Sequence, residues 1–498
     1  MSYILSIDAS TTSSRALLLN KKGEILGIEQ KPFTQYYPEH GWIEHDPVEI
    51  YETQMSVIEQ LLIKSGVQSE DIQAIGMTNQ RETTLIWDRK TGTPIWNAIV
   101  WNDRRTADCF PKIREKYSKL VKKKTGLLIE SYFSASKIDW LLNNVEGARE
   151  KAVAGDLCFG TMNTWLLWKM TNGKVFATDV TNASRTLLFN INTLKWDEEL
   201  LELFNIPAKL LPEVKSNSEI YGNTDCPALP FPIPIASMIG DQHAALFGQA
   251  CFGVGDVKCT YGTGAFMMMN TGQKPVESKH KLLSTVAWKI GNLNCVYALE
   301  GVVYAAGSVI TWLQEKMGLI KTPKEIESLA YSVPDSGGVF FVPSLVGLAS
   351  PYWNAHATGS IFGIRQSTNI GHIARASLEG IAFQVDDVLT AMRKDANLEI
   401  NHIKLDGGMS ENIFLMQIQS SLIGIDTARA YSKEMTALGA AHLAGLAVGF
   451  WSSIEELKTL WKSNRKFSPE LKKSDVIKMK RSWKHAIKLT HQWTKPHE

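Results

Sequence analysis

Two aspartates stand where a β-type run breaks into a turn, Asp8 in IDASTTSSR and Asp241 in IGDQHAALFG. A carboxylate at a strand end can face a cleft while its backbone stays anchored. One such group can hold a metal-bound phosphate and the other can take a proton, which is the division of labour that phosphoryl transfer requires. After Asp8 come Thr11, Thr12, Ser13 and Ser14 and then Arg15, a row of hydroxyls and amides closed by a cation, suited to phosphate oxygens. Each feature also has a bland reading. A Ser/Thr turn is commonly a plain hairpin connection, and Asp241 ahead of Ala244-Ala245-Leu246-Phe247 reads as an N-cap that stabilises a helix by about 1 kcal/mol.

The elements that must position these groups follow from local pattern. Residues 3–7, 15–20 and 24–30 read as a three-stranded meander with Lys21-Lys22-Gly23 as its second turn. A helix follows, capped by Asp46 with Pro47 in its first turn, and Ile50, Val57, Ile58, Leu61 and Leu62 form its apolar face. Strands over 72–77, 83–87 and 93–100 leave Gln80-Arg81-Glu82 between two of them and Trp101 at the end of another, positions that suit a site rim. A second hairpin, 256–260 and 265–270 around Tyr261-Gly262-Thr263-Gly264, repeats the plan of the first. Two related halves facing each other across a nucleotide are therefore expected, divided near 246–249. Lys404-Leu405-Asp406-Gly407-Gly408 before Phe414, Leu415, Ile418 and Leu422 reads as strand, Gly-Gly and helix, where bare backbone can approach phosphate or ribose.

With 498 residues the chain can form two or three domains, and its net charge of +2 carries no field that would draw nucleic acid or an anionic membrane. Six cysteines without metal spacing and no signal-like start fit a reducing cytosol. The apolar stretch 437–451 is too short to span a membrane; its Gly439, Gly445 and Gly449 predict close helix packing. The lysine-rich tail places Val476, Met479, Trp483, Ile487 and Thr490 on one face, expected to dock on the protein, and Lys495-Pro496-His497-Glu498 is no peroxisomal address.

The chain resembles the FGGY carbohydrate kinases, in their glycerol-phosphorylating branch. The motifs that carry the likeness are GWIEHDP from Gly41, TNQRETT from Thr78, YFSASKIDWLLNN from Tyr132, NASRTLLFN from Asn182, GDQHAALFGQ from Gly240 and TYGTGAFMMMNTG from Thr260. The resemblance implies an α/β fold of two ribonuclease H-like domains of the actin/hexokinase superfold, 1–246 for polyol and phosphate and 247–498 for nucleotide. An interdomain cleft would take ATP, Mg2+ and glycerol. It implies Asp241 as catalytic base and Asp8 as metal-side carboxylate, with Arg81, Glu82, Trp101, Tyr132, Asp241, Gln242 and Phe266 around the polyol. Thr11, Thr12, Ser13, Arg15, Thr263, Gly307, Gly408 and Asn412 would meet the nucleotide. Family habit implies a cytoplasmic homodimer or homotetramer.

Several residues depart from the family pattern. Ala9-Ser10 replaces Gln-Gly, Thr311 replaces a glutamine, and Ala349, Asn354, Thr358 and His243 are also atypical. Weakened nucleotide binding is the expectation. The alternatives are a kinase for another polyol or sugar, or a nucleotide-binding regulator without turnover.

Overall fold

The computed structural model describes residues 2–494, so Met1 and the 495–498 segment read for an address lie outside the described residues. The buried run β1 (Tyr3–Ala9) pairs antiparallel with β2 (Ser13–Leu19), which pairs antiparallel with β3 (Ile25–Pro32). On its other side β1 pairs in parallel with β4 (Ile72–Asn79). Beyond β4 lie β5 (Ser218–Asn223) and β6 (Pro234–Gly240), giving the sheet order β5-β6-β4-β1-β2-β3. The meander is present as the pattern predicted. Of the strand expected over 93–100, only Ala98–Ile99 forms.

The second sheet repeats the arrangement. Strands β7 (Asp256–Tyr261), β8 (Ala265–Gly272), β9 (Leu283–Trp288), β10 (Val296–Val303), β11 (His402–Asp406), β12 (Thr427–Ala430) and β13 (Ser463–Phe467) lie in the order β9-β10-β8-β7-β11-β12-β13. Read from β10 to β12, its pairings are antiparallel, antiparallel, parallel, parallel. The first sheet shows the same succession from β3 to β6. Both sheets place the turn after their first strand at the end where the parallel strands β4, β6 and β11 finish, as expected for ligand sites at the carboxyl ends of strands.

Helix α1 (Pro47–Ser65) starts as predicted, with Asp46 accepting from the Val48 and Glu49 amides, and buries Ile50, Val57, Ile58 and Leu61 on the first sheet. The layer between the sheets is built by α2 (Asp241–Gly248) and α5 (Met435–Ala447), with α3 (Gly307–Glu315) and α4 (Ile413–Ile423) lying between them in the chain. Their backbones touch. A Cβ on Gly439 would stand 1.9 Å from the Ala244 carbonyl, and one on Gly248 would stand 2.0 Å from that of Met435. Although α5 comes late in the chain, it lies on the first sheet: Ser6, Ser237 and Ser218 donate to the carbonyls of Ala437, Ala440 and Leu443, each at 2.7 Å.

Not every expected packing glycine is one. Gly449 lies beyond α5 at φ 70° in open space, so it ends the helix by the left-handed conformation that Gly takes without strain. The tail forms α6 (Lys473–Thr494), docked through Trp483, Ala486 and Ile487; Trp483 stacks on Phe383 and donates to Asp387 at 2.6 Å. Among the described residues no helix is long and apolar enough to cross a membrane.

Candidate active site

Asp8 is the penultimate residue of β1, between the buried Ile7 and Ala9, and is itself 3% exposed. Ser10 Oγ donates to its Oδ2 at 2.8 Å, while Oδ1 is buried with no protein partner. Burial pushes the carboxyl up to about 6, against the attraction of Arg15. Thr11 lies beside it and accepts from Trp101 Nε1 at 3.1 Å; Ser13 is buried and Thr12 exposed. Arg15 pairs with Glu434 at the start of α5 and donates to Gln30 at 3.1 Å, so its guanidinium already has two partners. Ser10 adopts none of the positive φ values that would demand glycine. Its side chain orders Asp8 instead.

Asp241 is not an N-cap. Gly240 occupies that position, and Asp241 is the first helical residue, its carboxylate 30% exposed and accepting from the Gln242 backbone amide at 2.6 Å. Arg81 Nε holds it at 3.0 Å. The other two guanidinium nitrogens of Arg81 meet the buried Glu300 of β10 at 2.6 and 3.1 Å. Arg185 also reaches Glu300, at 2.6 Å, and donates from Nε to Glu82 at 2.6 Å. Burial alone would raise the Glu300 carboxyl, but Arg185 and Arg81 outweigh it and hold it well below the usual range. Burial wins at Glu82, whose carboxyl is pushed up.

Arg81 and Glu82 are thus a buried network that joins the two sheets, not a surface ion pair. Glu82 takes φ 61°, a conformation costing a side chain about 1–2 kcal/mol, and Thr84 and Ser134 pin it by donating to its carbonyl. Trp101 and Tyr132 meet edge to face at 5.5 Å, and burial lifts the Tyr132 hydroxyl far above its ordinary range. Phe266 is half-buried on β8, paired with Thr260 and Val302. Gln242 follows Asp241, its side-chain oxygen accepting from Lys258.

Thr263, Gly307 and Gly408 come together in one open cavity of about 710 Å³, walled also by Ser308, Thr311 and Trp312. The second hairpin turn passes close to α3: a Cβ on Gly307 would lie 2.6 Å from the Gly262 carbonyl. After β11 the chain forms a short 3-10 turn, Gly408–Glu411, and α4 begins only at Ile413. Asn412 does not line the cavity; its side chain accepts from Leu415 at 2.8 Å and caps α4. The helix start expected directly at the glycines is therefore displaced. Of the atypical residues, Thr311 lines the cavity, but Ala349, Asn354 and Thr358 do not, and Asn354 bonds His491 of α6 at 2.9 Å.

The description "FGGY family of carbohydrate kinases" fits the chain twice, as N-terminal domain over 3–248 and as C-terminal domain over 257–448. The chain belongs to the FGGY family of carbohydrate kinases. It is 52% identical to glycerol kinases of Burkholderia multivorans and Parabacteroides distasonis over 492 residues, covering 99% of this chain and 98% of each relative. The crystal structure of Plasmodium falciparum glycerol kinase with ADP superposes with a TM-score of 0.94 at 40% identity, covering 98% of both chains.

Within this FGGY chain, sequence reasoning missed Glu300, Arg185 and Lys258. A signal existed for two of them. Glu300 is the one charge in Val296–Val303, and Lys258 stands between the apolar Val257 and Cys259, so each is a charge on a buried strand. Arg185 lies in a quoted motif, but nothing local tells it from a surface arginine.

Proposed function

We propose that the protein transfers the γ-phosphoryl group of ATP to a terminal hydroxyl of glycerol, giving sn-glycerol 3-phosphate and ADP. One observation carries the reading: the Asp241 carboxylate is partly exposed at the start of α2 and is held through Oδ1, at 3.0 Å, by an arginine that also binds Glu300 of the second sheet. As the bond from the acceptor oxygen to the γ-phosphorus forms and the bond to the leaving ADP oxygen breaks, the hydroxyl proton passes to Asp241. Arg81, Glu82 and Gln242 pair the hydroxyls of the polyol, and Trp101, Tyr132 and Phe266 cover its C–H face. Such a set fixes an amphipathic triol in one pose.

Thr11, Thr12, Ser13 and Arg15 approach the phosphates from the first hairpin; Thr263, Gly307 and Gly408 take the rest of the nucleotide, and Asn412 serves through its cap of α4. The lobes divide after Leu246, 1–246 and 247–498. Asp8 suits magnesium: its Oδ1 lies buried without a partner, and no group of three metal-ligating side chains exists among the described residues. One carboxylate with water and phosphate oxygens is the common protein contribution to such an ion. When bound, the ion supplies charge neutralisation of the phosphates.

The test is ADP release with glycerol, with other polyols and with no acceptor. Glycerol-dependent turnover that disappears in Asp241→Asn supports the reading, and ATP binding without turnover of any acceptor defeats it.

A further inference from the structure

Lys258 lies on β7, fully buried, and donates both to the side-chain oxygen of Gln242 and to Thr260 Oγ1, the latter at 3.1 Å. Burial lowers its ammonium below the usual lysine range, and Asp406 opposes that shift. An ammonium has three hydrogens to give and no acceptor, so only the oxygen end of an amide can face it. The two ends of Gln242 are distinguished in this way. Its oxygen is committed to Lys258, and its Nε2 has no protein partner among the described residues.

We propose that Lys258 is a positioning residue that locks the Gln242 amide with its N–H toward the cleft, so that the site accepts an alcohol and rejects an amine there. This rests on the assignment of Gln242 to the polyol site. A hydroxyl can accept from Nε2 and still give its own hydrogen to a carboxylate. An ammonium in the same place can only donate, and would meet Nε2 hydrogen to hydrogen. Lys258, a residue of the second sheet, thereby sets the selectivity of a site it does not touch.

The experiment compares native protein, Lys258→Met and Gln242→Glu by ADP release with glycerol, 2-amino-1,3-propanediol and 3-amino-1,2-propanediol, with KM for ATP measured alongside. Lys258→Met is expected to lose about tenfold in kcat/KM for glycerol, the scale of one hydrogen bond, while KM for ATP stays within about twofold. Its preference for glycerol over the amines narrows. Gln242→Glu keeps a partner for Lys258 but presents oxygen to the cleft, moves the preference further toward the amines, and decides the matter if Lys258→Met does not fold. Unchanged preference in the variants, or an equal rise of both KM values, overturns the inference alone. Failure of native protein to turn over glycerol overturns the polyol reading and the inference with it.

Discussion

Between β1 and β2 the chain turns on Ser10, Thr11 and Thr12, each with a side chain; between β7 and β8 it turns on Gly262, Thr263 and Gly264. The two hairpins occupy the same place in two sheets of the same order. In the first, the useful groups are side chains: a buried carboxylate, ordered by Ser10, with one oxygen left over. In the second, the useful property is bare backbone, since a Cβ on Gly264 would meet the Val303 carbonyl at 2.4 Å. One topology is used twice, for a buried carboxylate at one turn and for tight backbone packing at the other. The proposed proton acceptor, Asp241, belongs to neither turn and stands on the helix that leaves β6.

That contrast can be broken in stages. The largest effect is expected at Asp241→Asn, which should lower kcat by roughly 10²–10⁴-fold, the usual weight of a general base, while calorimetry still shows ATP binding. A kcat close to native would move the base to one of the turns. Next comes Gly264→Ala. The clash with backbone should cost about 2–4 kcal/mol in denaturant unfolding and weaken ATP binding; a tolerated alanine would show that close approach is not what the second turn is for.

The third test uses Asp8, whose carboxyl burial raises from 3.8 to about 6. Its charged form is disfavoured by folding, so its contribution to stability is full below the unfolded value and is lost as pH rises through about 6. Without metal, Asp8→Asn should therefore stabilise the protein at pH 8 by on the order of 2–3 kcal/mol, read by urea unfolding. With metal the sign reverses, because proton and cation compete: apparent magnesium affinity should fall about tenfold per pH unit below about 6. The smallest effect belongs to Ser10→Ala, which removes a 2.8 Å bond to Asp8. A loss of about 0.5–1.5 kcal/mol in magnesium binding, with stability otherwise unchanged, would confirm that this serine serves the carboxylate.

Elements whose signals are local were legible. The meander, the Asp46 cap, both hairpins and the apolar face of α1 depend on residues a few positions apart, and the structure has them all. Local reading failed where a neighbour distant in sequence decided the matter. Asp241 has an N-cap pattern, yet Gly240 takes the cap and Arg81 claims the carboxylate. Gly439 is a packing glycine because Ala244 lies against it, whereas Gly449, three turns of similar sequence later, packs against nothing.

The sequence by itself determined which residue types were present, the strand and helix patterns that could hold them, and the two carboxylates on which the chemistry was read. The tertiary structure decided their company: which carboxylate stays partly exposed and which is buried, and which end of Gln242 is held by Lys258. Arg81 and Glu300 are 219 positions apart and meet at 2.6 Å. Periodicity reports only what neighbours along the chain share. The charge state and orientation of a buried group depend on what surrounds it in space.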